Sequence, residues 1–259
     1  MEKLVLGIDL EGINDNLLEN GVNLDKDRVT EIGAVVWDYE IHQPVHILSQ
    51  LIDEKDRLAL SPEVIELTGI TEKMLKNWGK KGAEIKTTLL HLADLMNTCQ
   101  YIMAHNGKQY DLPMLREMFH RYGVEFPPTV WIDTYSDIEF PKKIFNKSMA
   151  GLEHAHGFIN PFPHRAVTDV LSMLKIASHY SIPRMAKMAE SPTVVIVAKL
   201  DAPNWKNANQ VEEFNKIKHK VSRARFRWNA HKKLWTKEVQ KILLDEDKIH
   251  FDFDWYFQE

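Results

Sequence analysis

The spacing of apolar residues changes partway along the chain, and that change restricts the fold more than any other feature. Residues 3–9 (KLVLGID), 28–39 (RVTEIGAVVWDY) and 44–52 (PVHILSQLI) are strand-length runs rich in Val, Ile and aromatic residues, with a polar turn at 14–27 between the first two. Three strands in succession predict an antiparallel start to a sheet. From residue 61 the spacing turns helical. Ser61 and Pro62 supply an N-cap and first position for a helix at 61–68, a second helix follows at 71–77, and Ile85, Leu89, Leu92 and Leu95 or Met96 mark a third at 83–98. Residues 100–104 (QYIMA) and 131–134 (WIDT) then read as strands, and Leu112 to Tyr122 and Arg165 to Tyr180 as helices. Strands first, then alternating helices and strands, predict a mixed α/β sheet with helices packed on it.

Residues 181–193 (SIPRMAKMAESPT) hold two prolines and no clear period, which predicts a linker between a domain at 1–182 and a module at 194–259. The module is expected to contain a strand from Val194 to Leu200, a helix near 207–221, short strands at 225–228 and 233–237, a helix at 238–246 and a strand at 249–255. Such an α/β unit of about 65 residues lies near the lower size limit for independent folding. Its charge also differs: residues 1–200 carry 21 Lys/Arg against 27 Asp/Glu, whereas residues 201–259 carry 12 against 10. Residues 216–237 hold nine basic side chains and no acidic one, a density that points to a polyanion partner.

Cys99 is the only cysteine, which rules out an internal disulfide and a multi-cysteine zinc site and fits a reducing compartment. The apolar stretch between Lys3 and Asp9 is too short for a secretory signal, and no apolar run approaches a membrane span. The expected location is the cytoplasm, with no membrane partner.

Asp9 and Glu11 stand two apart on an apolar strand, so both side chains emerge on one face. Taken singly, such a pair is a common solvated strand end. A second acid, Asp111, follows a strand and turn (AHNGKQYDLPML) at the start of a helix, and His164 and Asp169 (PHRAVTD) open another. Four carboxylates in one cleft repel one another unless cations lie between them. Hard oxygen donors without thiolate favour Mg²⁺ or Mn²⁺ over zinc. Two such ions about 4 Å apart suit phosphodiester hydrolysis, and an imidazole titrating near neutral pH can take the proton of the attacking water.

With these residues in place, the chain resembles the DEDDh 3′-to-5′ exonucleases, whose domain has a ribonuclease H-like fold. GIDLEG carries Asp9 and Glu11, AHNGKQYDLPML carries Asp111, and PHRAVTDVLSML carries His164 and Asp169. The stretches TEIGAVV (30–36), SPEVIELTGITEKML (61–75), IDTYSD (132–137) and SMAGLEHAHGFI (148–159) are also family-like, so the resemblance covers about residues 3–180. It implies that Asp9, Glu11 and Asp169 bind the nucleophile-activating metal, that Asp9 bridges to a second ion supported by Asp111 through water, and that His164 is the general base. It further implies that the terminal nucleotide is held by the backbone near Leu10 and Gly12, by the loop with Leu67, Thr68 and Ile70, and by His105 and Asn106.

Gly12-Ile13-Asn14 stands where this family usually carries Thr-Gly or Met-Thr-Gly, so the grip on the terminal ribose is expected to differ. The HNGxxYDxPxL spacing is similar to three-prime repair exonucleases and some phage or bacterial DNA exonucleases, which favours DNA over RNA. The readings that compete with a DNA exonuclease are an RNA-trimming exoribonuclease, a polymerase proofreading subunit and a non-catalytic binding protein. In the module, Trp228 and Trp235 are interleaved with Arg223, Arg225, Arg227, Lys232 and Lys233, a combination suited to stacking bases and following phosphates of a single strand. FRWNAHKKLW resembles a small module appended to DNA-processing helicases.

Overall fold

The computed structural model describes residues 3–14 and 21–258, so residues 15–20 of the expected polar turn lie outside it. Contacts divide the chain into two compact units, Met1–Ala189 and Glu190–Glu259.

In the first unit the strands are β1 (Leu4–Ile13), β2 (Arg28–Asp38), β3 (Gln43–Leu51), β4 (Tyr101–Ala104) and β5 (Val130–Asp133). The helices are α1 (Pro62–Thr68), α2 (Glu72–Trp78), α3 (Ala83–Thr98), α4 (Asp111–Arg121), α5 (Met149–Ala155), α6 (Ala166–Ala177) and α7 (Ile182–Glu190). The sheet order is β3-β2-β1-β4-β5. β1, β2 and β3 pair antiparallel, and β4 and β5 continue the sheet in parallel from β1. This is the mixed sheet that the change in period predicts. The short helices start where their side chains can satisfy free backbone N–H groups: Ser61 accepts from Val64 N–H at 3.3 Å and Thr71 from Met74 N–H at 3.2 Å.

Alternation along β1 sorts its side chains onto two faces. Leu6, Ile8 and Leu10 face one core with Leu89, Leu92 and Met96 of α3 and Leu115, Met118 and Phe119 of α4. Val5 faces the other core with Val170, Met173 and Leu174 of α6 and Met185 and Ala186 of α7. Each such buried aliphatic side chain contributes about 1.5–3 kcal/mol relative to exposure. Two glycines let α6 settle directly on the sheet. A Cβ on Gly7 would lie 2.6 Å from Val170 Cγ1, and a Cβ on Gly33 would lie 2.3 Å from the Ala166 carbonyl carbon.

Three differences from expectation concern this unit. β1 does not stop at Asp9 but continues to Ile13, because β2 pairs with it as far as Ile13↔Arg28, with a register shift between Glu11 and Gly12. The stretch expected as a linker is helical over Ile182–Glu190: Met185, Ala186 and Met188 are buried, and Pro183 is tolerated in the first turn, where no N–H is needed. α5 has no counterpart among the expected elements; Ser148 caps it by accepting the Gly151 N–H at 3.2 Å.

The second unit contains β6 (Thr193–Ala198), α8 (Ala208–Arg223), β7 (Arg227–Asn229), β8 (Leu234–Gln240), α9 (Lys241–Asp245) and β9 (Trp255–Phe257). Its antiparallel sheet runs β7-β8-β6-β9. Ile196, Ala198, Val221, Phe226 and Val239 form its core. The helix expected at 238–246 shrinks to Lys241–Asp245, because β8 stays paired with β6 through Thr193↔Gln240. The strand expected at 249–255 is displaced to Trp255–Phe257: Ile249, Phe251 and Phe253 have strand-like alternation but pack on the core outside the ladder. Among the described residues no helix is long and apolar enough to cross a membrane.

Candidate active site

The alternation that buries Val5 continues along β1 through Gly7 to Asp9 and Glu11, so both acids stand on the α6 face. Asp9 pairs in register with Gly33, and that glycine is where the first turn of α6 touches the sheet. Asp169, in that turn, is thereby brought to the β1 acids. Oxygen atoms of Asp9, Glu11 and Asp169 all lie within 4.8 Å of one another, and all three residues are partly buried.

Asp111 reaches the same point from the opposite layer. β4 pairs with β1 only as far as Gly7↔Met103. Beyond that, the Leu10 N–H donates to Asp111 Oδ1 at 2.9 Å, so a side chain from the first turn of α4 takes the place of a strand partner. Asp111 is buried, begins the helix rather than capping it, and lies outside the tight oxygen cluster while close enough to Asp9 to perturb it. His164 is exposed, and its backbone adopts φ +60°. That left-handed conformation costs a non-glycine residue about 1–3 kcal/mol. It is held by the His164 N–H, which donates to Asp169 Oδ2 at 3.1 Å.

The carboxylates crowd one another electrostatically. Burial, then the charges of Asp111, Glu11 and Asp169, hold Asp9 well above the usual carboxylate range. Burial, followed by Asp169 and Glu31, pushes Glu11 up to about 8. Burial raises Asp111 to about 7 and Asp169 to about 6, the latter opposed by the His164 N–H bond. Positive charge placed among these groups would offset their mutual repulsion and favour the ionised form of all four. The convergent atoms are all carboxylate oxygens, which fits a hard divalent cation of the Mg²⁺ or Mn²⁺ class.

Sequence reasoning missed several supporting groups. Glu31 is fully buried on β2 opposite Glu11, and it receives Arg165 Nε at 3.0 Å, Arg165 Nη2 at 2.8 Å and the Ala166 N–H at 3.1 Å. This two-pronged bond ties the start of α6 to the sheet, while the Arg165 charge lowers Glu11. Asn160 is buried and donates from Nδ2 to Asp169 Oδ1 at 2.6 Å. Tyr110 donates to Asn14 Oδ1 at 3.1 Å, and its hydroxyl would be 2.4 Å from a Cβ on Gly12. The signal for Glu31 was available: an acid in an apolar strand at a position that antiparallel pairing sets beside Glu11.

The residues expected to hold a terminal nucleotide fall into two groups. Leu67 and Asn106 are exposed, Asn106 at φ +58°, and Gly12 lies beneath the Tyr110 hydroxyl. Leu10, Thr68 and Ile70 are buried; the Leu10 N–H is occupied by Asp111, and Thr68 Oγ1 bonds the Val64 carbonyl and the Ile70 N–H. His105 is partly buried with Nδ1 on Thr134 Oγ1 at 3.0 Å and Nε2 on the Lys147 carbonyl at 2.9 Å.

In the second unit, Arg223, Arg225, Arg227, Lys232 and Lys233 are exposed. Trp228 and Trp235 are cross-strand partners with ring centroids 5.7 Å apart; Trp228 is 51% exposed, and Trp235 packs against the core. Lys237, a member of the same basic run, turns inward to bond the Ala224 carbonyl at 2.7 Å, and burial lowers its pKa.

A family model described as Exonuclease (RNase T) matches residues 6–177. No curated protein is similar enough to match. Among solved structures, the nuclease domain of 3′hExo, a DEDDh family member bound to rAMP, is similar at TM-score 0.54 and 16% identity, covering 69% of this chain and 91% of that one. A 3′-exonuclease solved for 3′-end specific recognition of histone mRNA stem-loop is similar at TM-score 0.53 and 17% identity, over 69% and 81%. E. coli Exonuclease I in complex with a dT13 oligonucleotide is similar at TM-score 0.58 and 16% identity; 76% of this chain is covered, but only 48% of that one.

Proposed function

The chain belongs to the exonuclease family, with the acids and histidine of its DEDDh type, and from that premise we propose a metal-dependent 3′-to-5′ exonuclease that releases 5′-mononucleotides, preferentially from single-stranded or frayed DNA ends. The observation that carries the reading is the convergence of Asp9, Glu11 and Asp169 oxygens within 4.8 Å, with Asp111 beside them and His164 at the rim. In this reading Asp9, Glu11 and Asp169 would hold one divalent cation, and Asp9 would hold a second, supported by Asp111 through water. Bound Mg²⁺ or Mn²⁺ supplies positive charge that activates water and stabilises the oxygens of the attacked phosphodiester.

The protein groups have separable tasks. His164 is exposed and bonded through its backbone N–H to Asp169, and in this reading its imidazole accepts the proton of the attacking water. Asp169 holds the His164 backbone through its Oδ2, so the base and a metal ligand are positioned by one side chain. Leu67 and Asn106 flank the terminal nucleotide, and Gly12 with Tyr110 lies under its sugar. The second unit supplies Arg223, Arg225, Arg227, Lys232 and Lys233 for phosphates and the exposed ring of Trp228, backed by Trp235, for a base. The single, buried Cys99 suits the cytoplasm.

The dT13 complex of E. coli Exonuclease I supports DNA as substrate, whereas the rAMP complex of 3′hExo supports RNA as the second reading. Matched DNA and RNA oligonucleotides in one assay test the choice, because a site that reads the sugar discriminates through the 2′-OH. Faster release of deoxynucleotides is expected; faster release of ribonucleotides would replace DNA with RNA as the substrate.

A further inference from the structure

The loop before α6 contains a polar group that none of the roles above uses. Asn160 is only 5% exposed, between Ile159 at 79% and Phe162 at 63%, so one amide is drawn inward from a loop whose apolar neighbours face outward. A buried amide needs partners, and Asn160 has them on every side. Its backbone N–H donates to Glu153 Oε2 at 3.1 Å, its Oδ1 accepts the Phe162 N–H at 3.0 Å, and its Nδ2 donates to Asp169 Oδ1 at 2.6 Å. Glu153 is itself buried on α5.

Asp169 therefore carries one donor on each oxygen, Asn160 Nδ2 on Oδ1 and the His164 N–H on Oδ2. A carboxylate has about four lone-pair sites, so two of them are committed to the loop and two remain for the acidic cluster. The two donors also fix the plane of the group, since a carboxylate gripped at both oxygens cannot rotate about its terminal bond. We propose that Asn160, anchored by Glu153, is a positioning residue that presents Asp169 to the divalent cation and keeps the backbone of His164 in its left-handed conformation. The proposal rests on the metal-dependent reading given above. It adds a residue that acts through Asp169, its Nδ2 making only a longer second contact, 3.4 Å, to Thr168 Oγ1.

The bond to the Phe162 N–H is a local turn contact, and a substitution that destroyed the turn would say nothing about Asp169. Asn160→Ser and Asn160→Thr each keep an acceptor for that N–H but are too short to reach Asp169 Oδ1, and neither adds a charge beside the acidic cluster. The direct readout is Mn²⁺ affinity of the full chain by calorimetry, with melting of the metal-free proteins as the control for folding. Loss of a partner that orients a metal ligand weakens affinity roughly 10–100-fold. Both variants are expected to bind Mn²⁺ at least about tenfold more weakly while melting as cooperatively as wild type. Raising Mn²⁺ should restore kcat, with KM for the oligonucleotide changing less than about twofold. If wild type binds Mn²⁺ and either folded variant binds it equally well, the proposal is overturned and the metal-dependent reading stands. If wild type itself binds no Mn²⁺, both are overturned.

Discussion

Replacing Gly33 by alanine should disable the site without touching any of its polar groups. The new Cβ would lie 2.3 Å from the Ala166 carbonyl carbon, 2.4 Å from the Val167 nitrogen and 2.7 Å from the Ala166 oxygen. All three are backbone atoms of α6, so no side chain can turn away to make room. Ordinary contact begins near 3.4 Å, so the first turn of the helix must retreat by about 1.1 Å, the difference between 3.4 and 2.3. Asp169 lies in that turn and His164 just before it, so both withdraw from Asp9 and Glu11 together. Overpacking of this kind costs roughly 1–3 kcal/mol of stability, and a misplacement of about 1 Å at a reacting centre can cost on the order of 100-fold in rate. Gly7→Ala is the matched comparison. The three atoms nearest its Cβ are side-chain atoms of Val170 and Leu174, deeper in the interface, which can shift rotamer. Single-turnover cleavage of a 3′-labelled oligonucleotide, with melting curves for both variants, separates the two effects. Gly33→Ala is expected to lose about 100-fold in rate and Gly7→Ala far less at a comparable loss of stability. Equal rates in the two variants would refute the claim that contact at Gly33 sets the position of Asp169.

The raised carboxyl groups make a pH prediction for the metal-free protein. Glu11 moves from 4.5 to about 8, and Asp111 and Asp169 from 3.8 to about 7 and about 6. The folded state therefore holds more protons than the unfolded chain across this range, and stability should fall as pH rises from about 4.5 to about 8. Added Mg²⁺ should flatten that slope and release protons on binding, measurable as a buffer-dependent heat; a metal-free melting temperature that rises over the same range would contradict the shifts. Trp228→Ala should weaken single-strand binding by about 1–3 kcal/mol with little change in the cleavage of very short substrates, measured by fluorescence anisotropy. Charge reversal at Arg225 should reduce the salt dependence of binding, whereas an unchanged slope would remove it from the phosphate contacts.

The sheet was readable because alternation and helical spacing are local properties of the sequence, and β2, β3 and α3 follow them closely. α7 was not, since Pro183 within it, Pro192 just beyond it and its short apolar set look like loop punctuation until Met185 and Ala186 find the core beneath α6. The displaced β9 shows the reverse case: Ile249, Phe251 and Phe253 have strand spacing, but pairing with β6 begins only at Trp255. The acids and His164 could be picked out because two-residue spacing and helix starts are visible in one dimension. Glu31 and Asn160 could not be ranked the same way. The value of Glu31 depends on Arg165, 134 residues away, and that of Asn160 on a loop conformation that turns its amide inward.

The most direct test is the fate of a 5′-labelled single-stranded oligonucleotide in Mg²⁺ or Mn²⁺, with mass analysis of the released products, for wild type beside Asp9→Ala. A ladder shortening from the 3′ end, release of 5′-mononucleotides and no digestion by Asp9→Ala are expected. Internal cuts, shortening from the 5′ end, or undiminished digestion by Asp9→Ala would contradict the assignment of this acidic cluster as a 3′-to-5′ exonuclease centre.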